Sequence, residues 1–81
     1  MSYEALFPEG TLVEIVSREE LERFRDQWRL HHKLEPEQLA CAGKSGRVSS
    51  VGYHHGGDVL YLVEGIPGIW HECCLNASKA N

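Results

Sequence analysis

The chain reads as a mainly β domain with one inserted helix, curled into a small barrel. Three observations predict this. A β-branched, apolar run opens the chain at Thr11 to Val16; a single amphipathic stretch follows a capping signal at Ser17; and from Arg47 onward short apolar runs are separated by Gly-rich turns. With 81 residues the chain is one domain, residues 1–81 with a core at about 7–76. A domain of this length buries only about 60–65% of its unfolded surface, so the core is thin and each large apolar residue matters.

The elements follow in order. Ser2 to Gly10, with Pro8 and Gly10, is an irregular lead-in, and Thr11-Leu12-Val13-Glu14-Ile15-Val16 is the first strand. Ser17 and Glu20 have the spacing of a capping box. Behind them Leu21, Phe24 and Trp28 recur at helical spacing, with charged residues on the other faces, which predicts a helix from about Arg18 to His31. Leu34 to Ala42 is a shorter element that starts at Glu35-Pro36-Glu37-Gln38 and buries Leu39. Gly43-Lys44-Ser45-Gly46 ends it in a tight turn.

Val48, Val51 and Tyr53 break strict alternation, which predicts a bulge near Ser49-Ser50 or Gly52. His54-His55-Gly56-Gly57 has the composition of a hairpin turn. Asp58 to Val63 is the clearest strand; it is apolar on both faces, so both should be at least partly covered. Glu64 to Gly68 turns the chain, Ile69 to Cys73 is the last strand, and Cys74-Leu75 closes it. Four or five short strands with a helix over one open end form a small SH3-like barrel.

Charge and composition exclude several classes. The net charge of −4 lacks the basic footprint of a phosphate-backbone binder, so nucleic acid is disfavoured and a cationic or neutral partner is weakly favoured. No apolar run reaches the roughly 18–20 residues of a membrane span, and Met1 to Phe7 does not read as a secretion signal. The expectation is a cytoplasmic protein with reduced thiols at Cys41, Cys73 and Cys74.

The residue types limit the chemistry open to the chain. Gly43-Lys44-Ser45 does not fit the phosphate-loop pattern Gly-x-x-x-x-Gly-Lys, because Gln38 stands where the first Gly belongs. His71 and Cys73, two apart on one strand, would face the same side and are weak zinc-ligand candidates, with a further histidine from the His54-His55 turn. The Cys-x-x-Cys hairpin of structural zinc sites is missing, and no cofactor is expected. Cys73 or Cys41 with His71 would be a thiol–imidazole pair, but nothing in the sequence supplies an oxyanion site. Glu19-Glu20 and Glu35/Glu37 read as solvated helical faces. The aromatic residues carry the functional expectation: Tyr53, Tyr61 and Trp70, with His54 and His55 beside them, would line a groove for a peptide, while Trp28 belongs to the core face of the helix.

The run Gly43-Lys44-Ser45-Gly46-Arg47-Val48, then Gly57-Asp58-Val59, then Trp70-His71 and Cys74-Leu75, resembles the SH3-like repeats of the Mind bomb ubiquitin ligases. The segment from Glu19 to Gln27 is similar to the Leu-rich stretch that precedes the turn in that family. The likeness spans about Thr11 to Leu75. It departs at His31-His32-Lys33-Leu34, where the family has a Gly-Gly-Trp stretch. The resemblance implies a recognition module for peptide segments; it implies no ligase chemistry, since three cysteines cannot build a RING of about eight zinc ligands.

The leading expectation is therefore a non-catalytic module that binds a protein or peptide. The alternative is an accessory or metal- or thiol-dependent subunit of an enzyme complex, because Gly10-Thr11-Leu12-Val13 looks similar to the β-type barrels of nitrile hydratases. A third is a homo-oligomer in which Val59 to Val63 pairs, at a sheet edge, with its own copy.

Overall fold

The computed structural model describes residues 5–29, 32–54 and 57–78. Five strands form one antiparallel sheet: β1 (Leu12–Ile15), β2 (Ser45–Tyr53), β3 (Val59–Val63), β4 (Ile66–His71) and β5 (Leu75–Ala77), in the order β4-β3-β2-β1-β5. Two short helices, α1 (Arg18–Gln27) and α2 (Pro36–Leu39), lie between β1 and β2. A single 3₁₀ turn, Glu72–Cys74, separates β4 from β5. Among the described residues no helix is long and apolar enough to cross a membrane.

β2 organises the sheet because it serves two partners. Its first residues, Ser45 to Arg47, pair with β1, and the rest, from Val48 to Tyr53, pair with β3. The register shifts between Val48 and Ser50, at the expected bulge. An extra residue there bends the strand and increases its twist. Gly46 lies inside the bend. A Cβ at that position would stand 2.8 Å from the carbonyl oxygen of Glu64 and from Val63 Cγ1, so only glycine lets the β3–β4 turn approach so closely.

The capping box forms as expected: Ser17 Oγ accepts from the Glu20 N–H at 3.2 Å, and the Glu20 carboxylate accepts from the Ser17 N–H at 3.4 Å. Such a cap stabilises by about 1 kcal/mol. The helix stops at Gln27, short of the expected His31, because Trp28 leaves helical geometry at ψ 122°. The Trp28 ring stacks instead on Phe24, with ring centroids 5.2 Å apart, and lies tilted against His71 at 4.7 Å. Leu30 and His31 lie outside the described residues.

Two further expectations are corrected. Pro67 and Gly68 belong to β4 rather than to a turn; β4 is an edge strand, where a residue without an N–H is tolerated. β3, expected at an edge, is an interior strand flanked by β2 and β4, so it has no free side with which to pair with a copy of itself.

The core gathers Val13, Ile15, Leu21, Val48, Tyr61 and Trp70, extended by Phe7 at one end of the chain and Leu75 at the other. Gln38 is a buried polar residue that closes the edge of β4. Its Nε2 donates to the Ile69 carbonyl at 3.0 Å, and its Oε1 accepts from the Glu35 N–H at 2.8 Å. Gly68, at φ +98°, makes room for it: a Cβ there would lie 2.5 Å from Gln38 Nε2.

Candidate binding groove

β3 is apolar on both faces, and the faces have different surroundings. Tyr61 and Val63 are in the core, whereas Leu60 and Leu62 alternate to the outer face. On β2, Gly52 stands opposite Leu60 and Ser50 opposite Leu62, so the neighbouring strand offers almost no side chain to cover them. His71 lies opposite Leu60 on β4 and is roofed by the rings of Phe24 and Trp28 at 4.9 and 4.7 Å. Leu62 and Ile69 receive no such cover and stay 46% and 39% exposed.

An apolar groove of about 240 Å³ results, walled by Tyr53, Leu60, Leu62 and Ile69. That falls below the roughly 300–1,000 Å³ of a site for a drug-sized molecule and suits one or two side chains. Among the described residues the exposed large apolar side chains are Leu6, Tyr53, Leu62 and Ile69, and three of the four stand in this one groove. Single exposed apolar residues are ordinary; a cluster of them marks a contact surface.

Two depressions border the groove. One shares only Tyr53 with it and is lined by Pro8, Glu9 and Val51, the last on the inward row of the sheet. The other shares His32 and Ile69 and runs to Lys33 and Glu35. His32 and His54 also wall the groove, their rings edge-on with centroids 6.0 Å apart. His32 has a left-handed backbone at φ +51°, and its carbonyl oxygen lies 2.8 Å from His71 Nε2.

Of the residues expected to grip a partner, Tyr53 is 50% exposed and stands in the groove with half-buried His54. His55 lies outside the described residues. Tyr61 and Trp70 are corrected: they are 1% and 0% exposed, facing each other and Val51 along one inward row of the sheet. Side chains without exposed surface cannot close on a partner; these two are core. Tyr61 has a structural task, since its hydroxyl donates to Glu72 Oε2 at 2.5 Å and accepts from the Phe7 N–H at 3.4 Å. Burial, reinforced by the Glu72 carboxylate, pushes its phenol up to about 12.

His71 and Cys73 do not share a face. His71 ends β4 and is buried, while Cys73 sits on the exposed side of the 3₁₀ turn, where strand alternation no longer applies. Among the described residues no group of three or more His, Cys, Asp or Glu side chains is placed to hold a metal ion. Cys41, Cys73 and Cys74 are all free thiols.

Sequence reasoning missed Leu62 and Ile69. The signal was present in the two-faced apolar pattern of Val59 to Val63: a sheet with so few layers over it cannot bury both faces. Comparison with protein families, with curated protein sequences and with solved structures returned no match.

Proposed function

We propose that this protein is a small recognition module that binds an extended peptide segment of a partner protein in the groove of Tyr53, Leu60, Leu62 and Ile69. The observation that carries the reading is the concentration of exposed apolar side chains around a cavity the size of one or two side chains. Recognition modules of this scale take apolar anchors of a linear segment into such depressions. The depression that shares His32 and Ile69 lengthens the groove toward Lys33 and Glu35, which suits a linear segment better than a compact small molecule.

The same proposal includes an SH3-like barrel, similar to the recognition repeats of Mind bomb ligases. The bend in β2, the placement of β5 beside β1 and the 3₁₀ break before the last strand support a sheet curling on itself.

Gly52 provides the test. A Cβ built there meets nothing within 4 Å, and a β-branched residue suits a strand, so Gly52→Val should narrow the groove while the sheet stays intact. Peptides selected from a random display library on the wild-type chain should bind Gly52→Val at least about tenfold more weakly, a loss of about 1.4 kcal/mol, with an unchanged melting temperature. Selected peptides that bind both proteins equally, or a library that yields none, would refute the reading.

A further inference from the structure

The 3₁₀ turn Glu72–Cys74 holds two adjacent thiols in unequal settings: Cys73 is exposed, while Cys74 is only 1% exposed. On a strand, neighbouring side chains point to opposite faces. With three residues per turn they stand only about 120° apart, and one sulfur can reach the other. The Cys74 S–H donates to the Cys73 sulfur; that bond draws Cys73 down to about 7 and, together with burial, pushes Cys74 up. Cys73 therefore takes the negative charge of the pair, and Cys74 keeps the proton. The thiolate is the nucleophilic form of a cysteine, so the exposed member is also the reactive one. Asp58 and Glu72 lie near enough for their charge to act on Cys73. They oppose an anionic reagent such as glutathione disulfide but do not repel a small neutral one. The third thiol is set apart from this chemistry: Cys41 is buried and donates to the Glu37 carbonyl at 3.6 Å.

We propose that Cys73 and Cys74 form a reversible oxidation site for hydrogen peroxide, with Cys73 as the attacking sulfur and Cys74 as the resolving one. The Cys73 thiolate attacks one peroxide oxygen, the O–O bond breaks, and the departing hydroxide takes a proton from solvent to become water. Cys73 is oxidised by two electrons to a sulfenic acid, and the peroxide is reduced. The Cys74 sulfur then attacks Cys73, its proton leaves with the hydroxyl as a second water, and an S–S bond forms. Consecutive Cα atoms are about 3.8 Å apart, closer than the roughly 4.4–6.8 Å of most disulfides, so this bond is strained and easily reduced. It closes between Glu72, whose carboxylate holds the Leu6 N–H and the Tyr61 hydroxyl, and Leu75, which opens β5. Oxidation is thus felt both at the lead-in and at the last strand.

The experiment treats the full chain with an equimolar amount of hydrogen peroxide, blocks the remaining thiols and digests with trypsin. Between Arg47 and Lys79 the sequence has no Lys or Arg, so Cys73 and Cys74 leave together in peptide 48–79, apart from Cys41. That peptide should lose two hydrogens and regain them with dithiothreitol, while Cys41 stays open to alkylation once the chain is unfolded. Cys73→Ser, at an exposed position, should slow the loss of thiols by about tenfold or more. Cys74→Ala removes the resolving thiol, so the sulfenic acid should persist, be trapped by dimedone and go on to gain a second oxygen. Three results overturn the proposal: two or three oxygens on Cys73 of the wild-type chain with Cys74 still reduced, a dimer of chains joined through Cys73, or oxidation of Cys41 at an equal rate. The wild-type reading decides even if Cys74→Ala fails to fold.

Discussion

His71 Nε2 lies 2.8 Å from the carbonyl oxygen of His32. A carbonyl only accepts, so the imidazole carries its proton on Nε2. This bond ties the end of β4 to the segment after α1, and it fixes one of the walls of the groove from inside the protein. His71 is 4% exposed and packed by Phe24 and Trp28, so its ring also fills space.

Replacing His71 by Ala removes both the bond and the packing. The expected loss is about 2–4 kcal/mol, measured by denaturant unfolding. By contrast, His32→Gly relieves the left-handed backbone at φ +51° and should leave stability within about 1 kcal/mol of wild type. If His32→Gly cost as much as His71→Ala, the His32 ring, rather than its backbone, would be the structural element.

Tyr61 and Glu72 fasten the lead-in to the sheet, the latter also accepting from the Leu6 N–H at 3.1 Å. The phenol of Tyr61 is raised from 10.0 to about 12, so the folded state keeps a proton that the unfolded state releases. Its contribution is complete below pH 10.0 and declines as pH rises toward about 12. Tyr61→Phe should cost about 1–3 kcal/mol at neutral pH, because a hydrogen bond to a carboxylate is lost. It should also flatten this alkaline decline in urea titrations; an identical decline in the variant would assign it to other groups.

Gly68 and Gln38 interlock. Gly68→Ala places a Cβ 2.5 Å from Gln38 Nε2 at a backbone angle of +98°. A loss of about 1–3 kcal/mol is expected from the strained backbone and the displaced amide. Gln38→Ala strips the hydrogen bond from the Ile69 carbonyl and opens the edge of β4, so light scattering should show faster aggregation.

Cys73 should be the thiol that reacts in the native protein, since Cys41 and Cys74 are buried. The neighbouring Cys74 thiol holds it down to about 7, so the rate of alkylation should rise as pH increases through that value. Mass spectrometry of briefly alkylated protein checks the site. Equal modification of Cys41 would show that the core around it opens readily.

Local signals were legible where local physics decides. The capping pair Ser17 and Glu20, the bulge beside Ser49 and the bond from the Gly57 N–H to the His54 carbonyl are all set by neighbours in the chain, and all appear. The end of α1 was not legible, because Trp28 leaves the helix for His71, a residue far along the sequence. β5 escaped notice because Leu75–Ala77 is short and follows a 3₁₀ turn. In the groove, Tyr53 and His54 were readable from their place beside a turn. Tyr61 and Trp70 belong to the core because an aromatic side chain suits a core as well as a groove; mid-strand they are covered, while Tyr53, at the end of β2, stays open.

The closed edge of β4 has a bearing on how a guest is held. With the Ile69 carbonyl engaged by Gln38 and no amide proton on Pro67, two of the main-chain groups that an added strand would use along this edge are taken or missing. A guest is then gripped more by its side chains than by its backbone, so truncating its apolar groups should cost it more than methylating its amides.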